Sequence, residues 1–476
     1  MNRRQFLKHT VTGSALACVA GLQRAEAGSG TRAPNVLILQ PDQHRGGIMG
    51  CAGDPVVRTP HLDRLAAQGA RFTRCISASP VCSPWRGSMQ TGMHAHAHTV
   101  WRNNLPLPGE LTGFAEVFRD AGYATGYIGK WHLEGGHGHL AGTQTRRGVP
   151  GGPVPKGKRR FGWDEWQGYD VSHEYFDVWR FNEHDEKIRV EGYDWEPTWH
   201  TDQAVEFITR QTIANRPWCY YVAYGPPHDP EQCPPEFMRP YEGADFPLPD
   251  GASDALNAEQ RAELNRLSAI YYGQVTAIDH EVGRLLAAID RLGVADDTIV
   301  IYVSDHGDTL GAHLGTVGHL RTKATPHRSS FMTPLLVKWP RRISAGLMSD
   351  ALVSSVDLAP TLLGLAGLPI PSQMQGLSMA DWCLGLPGRE QEVLYLGLGA
   401  PHTTDAWRAV WDGDHLYSTG RFNELYDCKN DPAERVNRRH DPAARNLVRH
   451  YHEMLFEQAA RYNDPHREYL LAAAKI

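Results

Sequence analysis

Beyond its N-terminal segment, this 476-residue chain has no apolar run of the ~18 uninterrupted residues that a bilayer-crossing helix needs, so no integral membrane segment is expected in the mature chain. Its cysteines (Cys18, Cys51, Cys75, Cys82, Cys219, Cys233, Cys383, Cys428) form no C-x-x-C pair, which argues against a zinc knuckle or a thioredoxin-type motif; spacing alone assigns no disulfide. The formal charge is only −6, so nothing global attracts nucleic acid or an anionic membrane, and no nucleic-acid partner is expected. No internal repeat is evident. What the chain does have is 41% hydrophobic residues, enough for a core without a disulfide scaffold. The length allows two or three folding units, or one large α/β domain with an appendage.

The N-terminus carries Arg3-Arg4-Gln5-Phe6-Leu7-Lys8, a modest apolar run from Val11 to Leu22, and a small-x-small site at Ala25-Glu26-Ala27. This pattern resembles a twin-arginine export signal over residues 1–27; the alternative is a chance Arg-Arg on a tail. It implies the twin-arginine export machinery as a partner and a mature protein in the periplasm or secreted.

Short apolar runs ending in polar residues come next. Pro34 to Leu39 leads to Gln40-Pro41-Asp42, Trp218 to Tyr224 leads to Gly225-Pro226-Pro227-His228, and Thr298 to Val303 leads to Ser304-Asp305-His306. Such runs are expected as buried strands. Helical patterns lie between them, at Thr59 to Gly69 and Ile270 to Leu292. Alternation of this kind predicts an open α/β sheet with its site along the strand C-terminal edge. Glu134 to Arg160 lacks periodicity and is expected to be a functional or disordered loop. After about Pro371 the pattern changes to short strands, with an Asp412-Gly413 hairpin and a closing helix from Pro442 to Tyr462. The expected division is a catalytic domain over 34–370 and a small antiparallel subdomain over 371–476.

The most informative stretch is Cys82-Ser83-Pro84-Trp85-Arg86-Gly87-Ser88-Met89-Gln90-Thr91-Gly92. A Cys on a Pro-stiffened turn at a helix start, with Arg four residues on, suits an activated thiol beside a cation; a helix cap with an incidental Cys is the alternative.

Here the sequence resembles the type I sulfatases of the alkaline phosphatase superfamily, whose maturation motif Cys-x-Pro-x-Arg followed by Thr-Gly is complete. The resemblance spans nearly the whole mature chain. It includes Pro34-Asn35-Val36-Leu37 with Asp42, Gly129-Lys130-Trp131-His132-Leu133, Pro227-His228, Ser304-Asp305-His306-Gly307, Lys323, Glu424-Leu425-Tyr426-Asp427 and Asp431-Pro432-Ala433-Glu434. It implies a large mixed, mostly parallel sheet flanked by helices, with a small C-terminal antiparallel sheet. It also implies sulfate ester hydrolysis through a formylglycine (3-oxoalanine) made from Cys82 by a formylglycine-generating maturation enzyme, with Arg86 holding the modified side chain. Lys130, His132, His228 and Lys323 resemble the sulfate-binding set. Lys323 or His228 would protonate the departing alcohol, Asp305 would be the base, and His132 would assist the second half-reaction.

A lone Asp at a strand end is more often a cap or turn former. Two such ends, one with an adjacent His, shift Asp42, Asp305 and His306 toward a divalent metal, with Gln43 and the Cys82 side chain as further members. Oxygen-rich ligation favours calcium, and manganese or magnesium is the alternative. Gln43 stands where a second Asp is frequent in the family and His306 where Asn is frequent, so ligation by Gln43 is open.

His94, His96 and His98 alternate without an acidic or Cys partner nearby, so a substrate-side or structural role for His96 is preferred to a second metal. Arg102 and Asn103 are candidate contacts to the group carrying the sulfate, or a surface turn. Lys156-Gly157-Lys158-Arg159-Arg160 is either a polyanion-steering patch or, preferred, solvated loop charge. The expected substrate is a sulfated small molecule or carbohydrate. A phosphonate monoester or phosphodiester hydrolase on the same scaffold is the alternative, and a catalytically dead binding relative is disfavoured by the complete motif set.

Overall fold

The structure is a computed structural model that describes residues 32–135, 153–176, 179–181, 186–244, 246 and 256–473. The expected export signal (1–27) and the centre of the 134–160 loop lie outside the described residues. From Pro34 onward the chain forms one unit by its internal contacts.

Its strands are β1 (Asn35–Asp42), β2 (Ala70–Ile76), β3 (Ala124–Lys130), β4 (Glu165–Tyr169), β5 (Trp179–Phe181), β6 (Lys187–Arg189), β7 (Trp218–Pro227), β8 (Thr298–Val303), β9 (Leu335–Lys338), β10 (Leu347–Ser354), β11 (Leu394–Leu398), β12 (Trp407–Trp411), β13 (His415–Gly420) and β14 (Glu424–Asp427). Eight of them form one sheet in the order β10-β2-β9-β8-β1-β7-β3-β4. Pairing is parallel except at β9, which runs antiparallel to both β2 and β8.

The central strands are continuous apolar runs because both of their faces are covered. Along β1, Val36 and Ile38 join one core cluster while Leu37 and Leu39 join another. The first face packs Trp85 and Met89 of the helix Cys82–Thr91, Phe114 and Phe118 of Phe114–Asp120, and Leu362 of Leu358–Leu365. The second packs Leu62 and Leu65 of Pro60–Ala67, Phe207 and Ile208 of Glu196–Ile213, and Ile278, Val282 and Leu285 of Ala258–Arg291. This last helix begins well before the expected Ile270. Its first turns are polar, and they are started by a capping box between Asn257 and Gln260.

Strands β11–β14 form the expected antiparallel meander. Asp412 Oδ1 accepts from the backbone N of Asp414 and of His415, closing a hairpin in which Gly413 takes φ +93°. The helix Arg445–Arg461 covers that sheet through Tyr451, Leu455 and Ala459. Among the described residues no helix is long and apolar enough to cross a membrane, and Cys51, Cys75, Cys82, Cys219, Cys233, Cys383 and Cys428 are all free thiols.

Candidate active site

Parallel pairing brings the ends of β1, β3, β7 and β8 to one edge. Asp42 is the last residue of β1, Lys130 the last of β3, and Pro227 of β7 pairs with Asp42 across a register shift. Cys82 opens the helix that follows β2 and is only 1% exposed. That helix ends at Gly92, whose φ of +64° lets its N–H return to Ser88 O; the Thr-Gly of the motif is thus a left-handed C-cap.

Cys82 Sγ lies 3.3 Å from His306 Nε2, 3.3 Å from Lys323 Nζ, 3.6 Å from Asp42 Oδ1 and 3.7 Å from Lys130 Nζ. Burial works to raise the thiol pKa, but the Lys130 and Lys323 ammonium groups oppose it, and the thiol is held well below its ordinary value. Cys51, Cys75, Cys219, Cys233, Cys383 and Cys428 are all pushed up by burial, so Cys82 stands apart from them.

Arg86, one turn on, is 2% exposed. Its guanidinium reaches Asp42 Oδ2 at 3.2 Å, Asp305 Oδ2 at 3.4 Å and the carbonyl of Lys130, so one side chain ties the helix to three strand ends. Lys130 Nζ also pairs with Asp42 Oδ2 at 2.7 Å.

The donor atoms of Asp42, Cys82, Asp305 and His306 all lie within 4.8 Å of one another, and all four residues are buried. His306 Nδ1 is 2.9 Å from Gly307 O, and donation to that carbonyl leaves the Nε2 lone pair facing the cluster. Asp305 Oδ1 is fixed by the backbone N of Gln43 and of His306, each at 2.9 Å. Burial, then the nearby Asp42 carboxylate, pushes the pKa of Asp305 up. Burial and Cys82 act the same way on Asp42, but Lys130, His228 and Lys323 hold it well down. Two buried carboxylates that repel each other beside an imidazole lone pair fit a hard divalent cation. Gln43 Nε2 donates to Asp308 Oδ2 at 2.7 Å, and its Oε1 accepts from Lys323 Nζ at 2.9 Å.

Lys323 Nζ lies 2.6 Å from His228 Nε2, and His228 Nδ1 lies 3.0 Å from Asp229 Oδ1. His132 Nε2 meets Asn104 Oδ1 at 2.9 Å, while its buried Nδ1 has no hydrogen-bond partner and the ring stands beside Cys82. Cys82, Arg86, Lys130, His228, Lys323, Asp42, Gln43, Asp305 and His306 are therefore linked by direct contacts, with His132 adjoining them.

The three substrate-side candidates are not gathered there. His96 spends Nε2 on Tyr462 O (3.0 Å) and Nδ1 on Asp464 Oδ2 (3.3 Å), and its ring stacks on His94; this is a structural role against the C-terminal segment. Asn103 Oδ1 accepts from Ser83 N at 2.9 Å, steadying the turn beside Cys82. Arg102 is exposed. In the basic tract, Arg159 pairs with Glu134 at 2.9 Å and Arg160 is buried, leaving Lys156 and Lys158 exposed.

Several site residues carried no sequence signal. His173 Nε2 lies 3.4 Å from Lys130 Nζ, and its ring is 4.5 Å from that of His228. His173, His228 and Asp229 have metal-ligand spacing, but two ammonium groups at their nitrogens oppose a cation and suit an anion. Asp308, which holds Gln43 and Arg321, and Asn104, which holds His132, were also unmarked.

A family model described as Sulfatase matches residues 34–368, and one described as N-sulphoglucosamine sulphohydrolase, C-terminal, matches residues 320–461. The chain is 30% identical over 432 residues to an ulvan-active sulfatase of Formosa agariphila, covering 89% of this chain and 80% of that one. It is 26% identical over 515 residues to an N-acetylglucosamine-6-O-sulfatase of Bacteroides thetaiotaomicron, covering 89% and 85%. A solved Bacteroides fragilis protein named as the sulfatase yidJ superposes with a TM-score of 0.84 at 28% identity, over 94% of this chain and 100% of that one.

Proposed function

The chain belongs to the sulfatase family and is a sulfatase, and from that premise we propose that it cleaves a sulfate ester on a carbohydrate, with a nucleophile derived from Cys82 by oxidation to formylglycine. The observation that carries this reading is the setting of Cys82, a buried sulfur within 3.3–3.7 Å of two ammonium groups and an imidazole. Carbohydrate is supported by the sugar in the name of the N-acetylglucosamine-6-O-sulfatase relative. Export to the periplasm or medium is part of the proposal and rests on the Arg3-Arg4 leader alone.

A formylglycine hydrate would supply an oxygen that attacks sulfur and could later release sulfate by reverting to the aldehyde. Calcium, with manganese or magnesium as alternatives, would be held by Asp42, Asp305 and His306 and would polarise the sulfate oxygens. The remaining work falls to the chain itself. Lys130 and Lys323 place positive charge around the three non-bridging oxygens, where negative charge grows. Lys323 and His228, in contact at 2.6 Å, deliver the proton to the departing alcohol oxygen. Asp305 receives the proton of the attacking hydroxyl. His132, with Nδ1 unspent beside position 82, takes the proton in the second half-reaction.

Two measurements test the proposal. Mass spectrometry of the peptide spanning Cys82, from a host with the maturation enzyme, should show a mass about 18 Da below the thiol form. A thiol left intact in fully active enzyme would sink the nucleophile. Turnover of p-nitrophenyl sulfate should exceed that of phenylphosphonate esters; the reverse order would transfer the assignment to phosphonate hydrolysis.

A further inference from the structure

A cavity of about 280 Å³ is walled by Arg45, Arg71 and Arg328, with Ser329 and Glu434 in its polar lining, and it shares no lining residue with the cluster around Cys82. None of the three guanidiniums is ion-paired to a carboxylate among the described residues, and their protein contacts are sparse. Arg45 NH1 reaches Thr309 O at 3.5 Å, Arg71 NH2 reaches Met348 Sδ at 3.7 Å, and Arg328 NH1 donates to Pro432 O at 3.0 Å. Glu434, the one carboxylate in the lining, is already engaged by His313 Nε2 at 3.1 Å and by the backbone N of Arg328 at 3.2 Å.

Two buried polar atoms of lining residues, Arg328 Nε and Ser329 Oγ, have no hydrogen-bond partner, although Ser329 is only 5% exposed. Buried donors are rarely left unpaired, so the protein alone leaves the polar groups of these two lining residues incompletely satisfied. At Gly47, also in the wall, an added Cβ would meet nothing within 4 Å, so the backbone there borders open space.

We propose that this cavity is a second anion site that takes a sulfate group. Guanidinium forks match the edges of a tetrahedral oxyanion, and three of them around one space repel a cation. The volume sits at the small end of ligand sites, room for an oxyanion carrying one sugar ring. The choice of sulfate among oxyanions rests on the sulfatase reading above; the anion site itself does not. Two sources present the same chemistry: inorganic sulfate released by the reaction, and a second sulfate on the carbohydrate.

The test is crystallographic and independent of turnover. Crystals of the mature holoenzyme soaked in selenate should show an anomalous selenium peak between Arg45, Arg71 and Ser329. Arg71→Gln should weaken that peak's apparent Kd at least tenfold, and Ser329→Ala should weaken it less, with both variants retaining wild-type turnover of p-nitrophenyl sulfate. Soaking with a disulfated disaccharide distinguishes the sources: sugar density in the cavity assigns the carbohydrate, and a bare tetrahedron assigns the released ion. No peak at a concentration that fills the catalytic seat overturns the proposal, as does a peak unchanged in Arg71→Gln. Failure of selenate to enter the catalytic seat would count against the sulfatase mechanism instead.

Discussion

Lys323 Nζ stands 2.6 Å from His228 Nε2, closer than it stands to Gln43 Oε1 (2.9 Å) or Cys82 Sγ (3.3 Å). With Asp229 Oδ1 3.0 Å from Nδ1, the ring donates on one side and accepts from the ammonium on the other. In the proposed mechanism this pair passes one proton outward to the departing alcohol.

That pairing predicts a leaving-group dependence. Lys323→Ala and His228→Ala should each lose roughly 10²–10⁴-fold in kcat on an alkyl or sugar sulfate, the range for general-acid catalysis. On p-nitrophenyl sulfate, whose phenolate leaves without help, the loss should be far smaller. Steady-state rates on both substrates check this, and equal losses on both would count against the dyad as proton donor.

Cys82→Ala should fold with a melting temperature near wild type and show no turnover. Cys82→Ser should react once, because an ordinary sulfate ester has no aldehyde to collapse to. Intact mass after substrate exposure should rise by about 80 Da in the Ser variant alone.

Chelation should abolish activity and lower the melting temperature, since the bound ion stabilises the folded chain and its loss leaves Arg86 and Lys130 alone to offset the repulsion between the buried Asp42 and Asp305 carboxylates. Calcium should restore both. In Asp305→Asn, which removes one of those charges, the chelator should shift the melting temperature much less; an equal shift would place the ion elsewhere.

Glu434 accepts the backbone N–H of Arg328 and is paired with His313, whose ring stacks on His327 at 3.8 Å. These residues bracket the segment that carries Lys323. Glu434→Gln should therefore cut kcat about tenfold with little change in KM, and cost about 1–3 kcal/mol of stability by urea unfolding.

Asp464 is buried against Arg408 (Nε to Oδ2, 2.5 Å), Tyr395 OH (2.7 Å) and His96 (3.3 Å). Burial works to raise its pKa, but Arg408 holds it well below the usual carboxylate range. A depressed folded-state pKa contributes stability that is present above the unfolded value, about 3.9, and lost as pH falls toward the folded one. Asp464→Asn should cost about 3–5 kcal/mol near neutrality. The gap to wild type should narrow steadily below about pH 4 in urea titrations.

Much of the catalytic edge is legible in the chain because buried parallel strands are written as unbroken apolar runs. The residue that ends such a run, as Asp42 ends β1, is delivered to a fixed edge. His173 and Asn104 are not legible. Each sits on irregular chain, where no periodicity aims a side chain, and the distances to Lys130 and His132 exist only after folding. For His96 the sequence leaves a substrate-side and a structural role open, because its partners Tyr462 and Asp464 lie about 370 residues away. The start of the long helix at Ala258 is hidden because its first turns are polar and only a cap marks them.

Every residue of the helix Cys82–Thr91 is buried. On the formylglycine reading proposed above, the oxidising enzyme would have to meet that sulfur as slack chain, while β1, β3 and β8 have yet to close over it. Oxidation and folding would then be competitors in time: a chain that folds first would seal its own thiol away and stay inert, however perfect its remaining machinery. Yield of working enzyme should follow the ratio of those two speeds, so slowing collapse at low growth temperature favours the converted fraction.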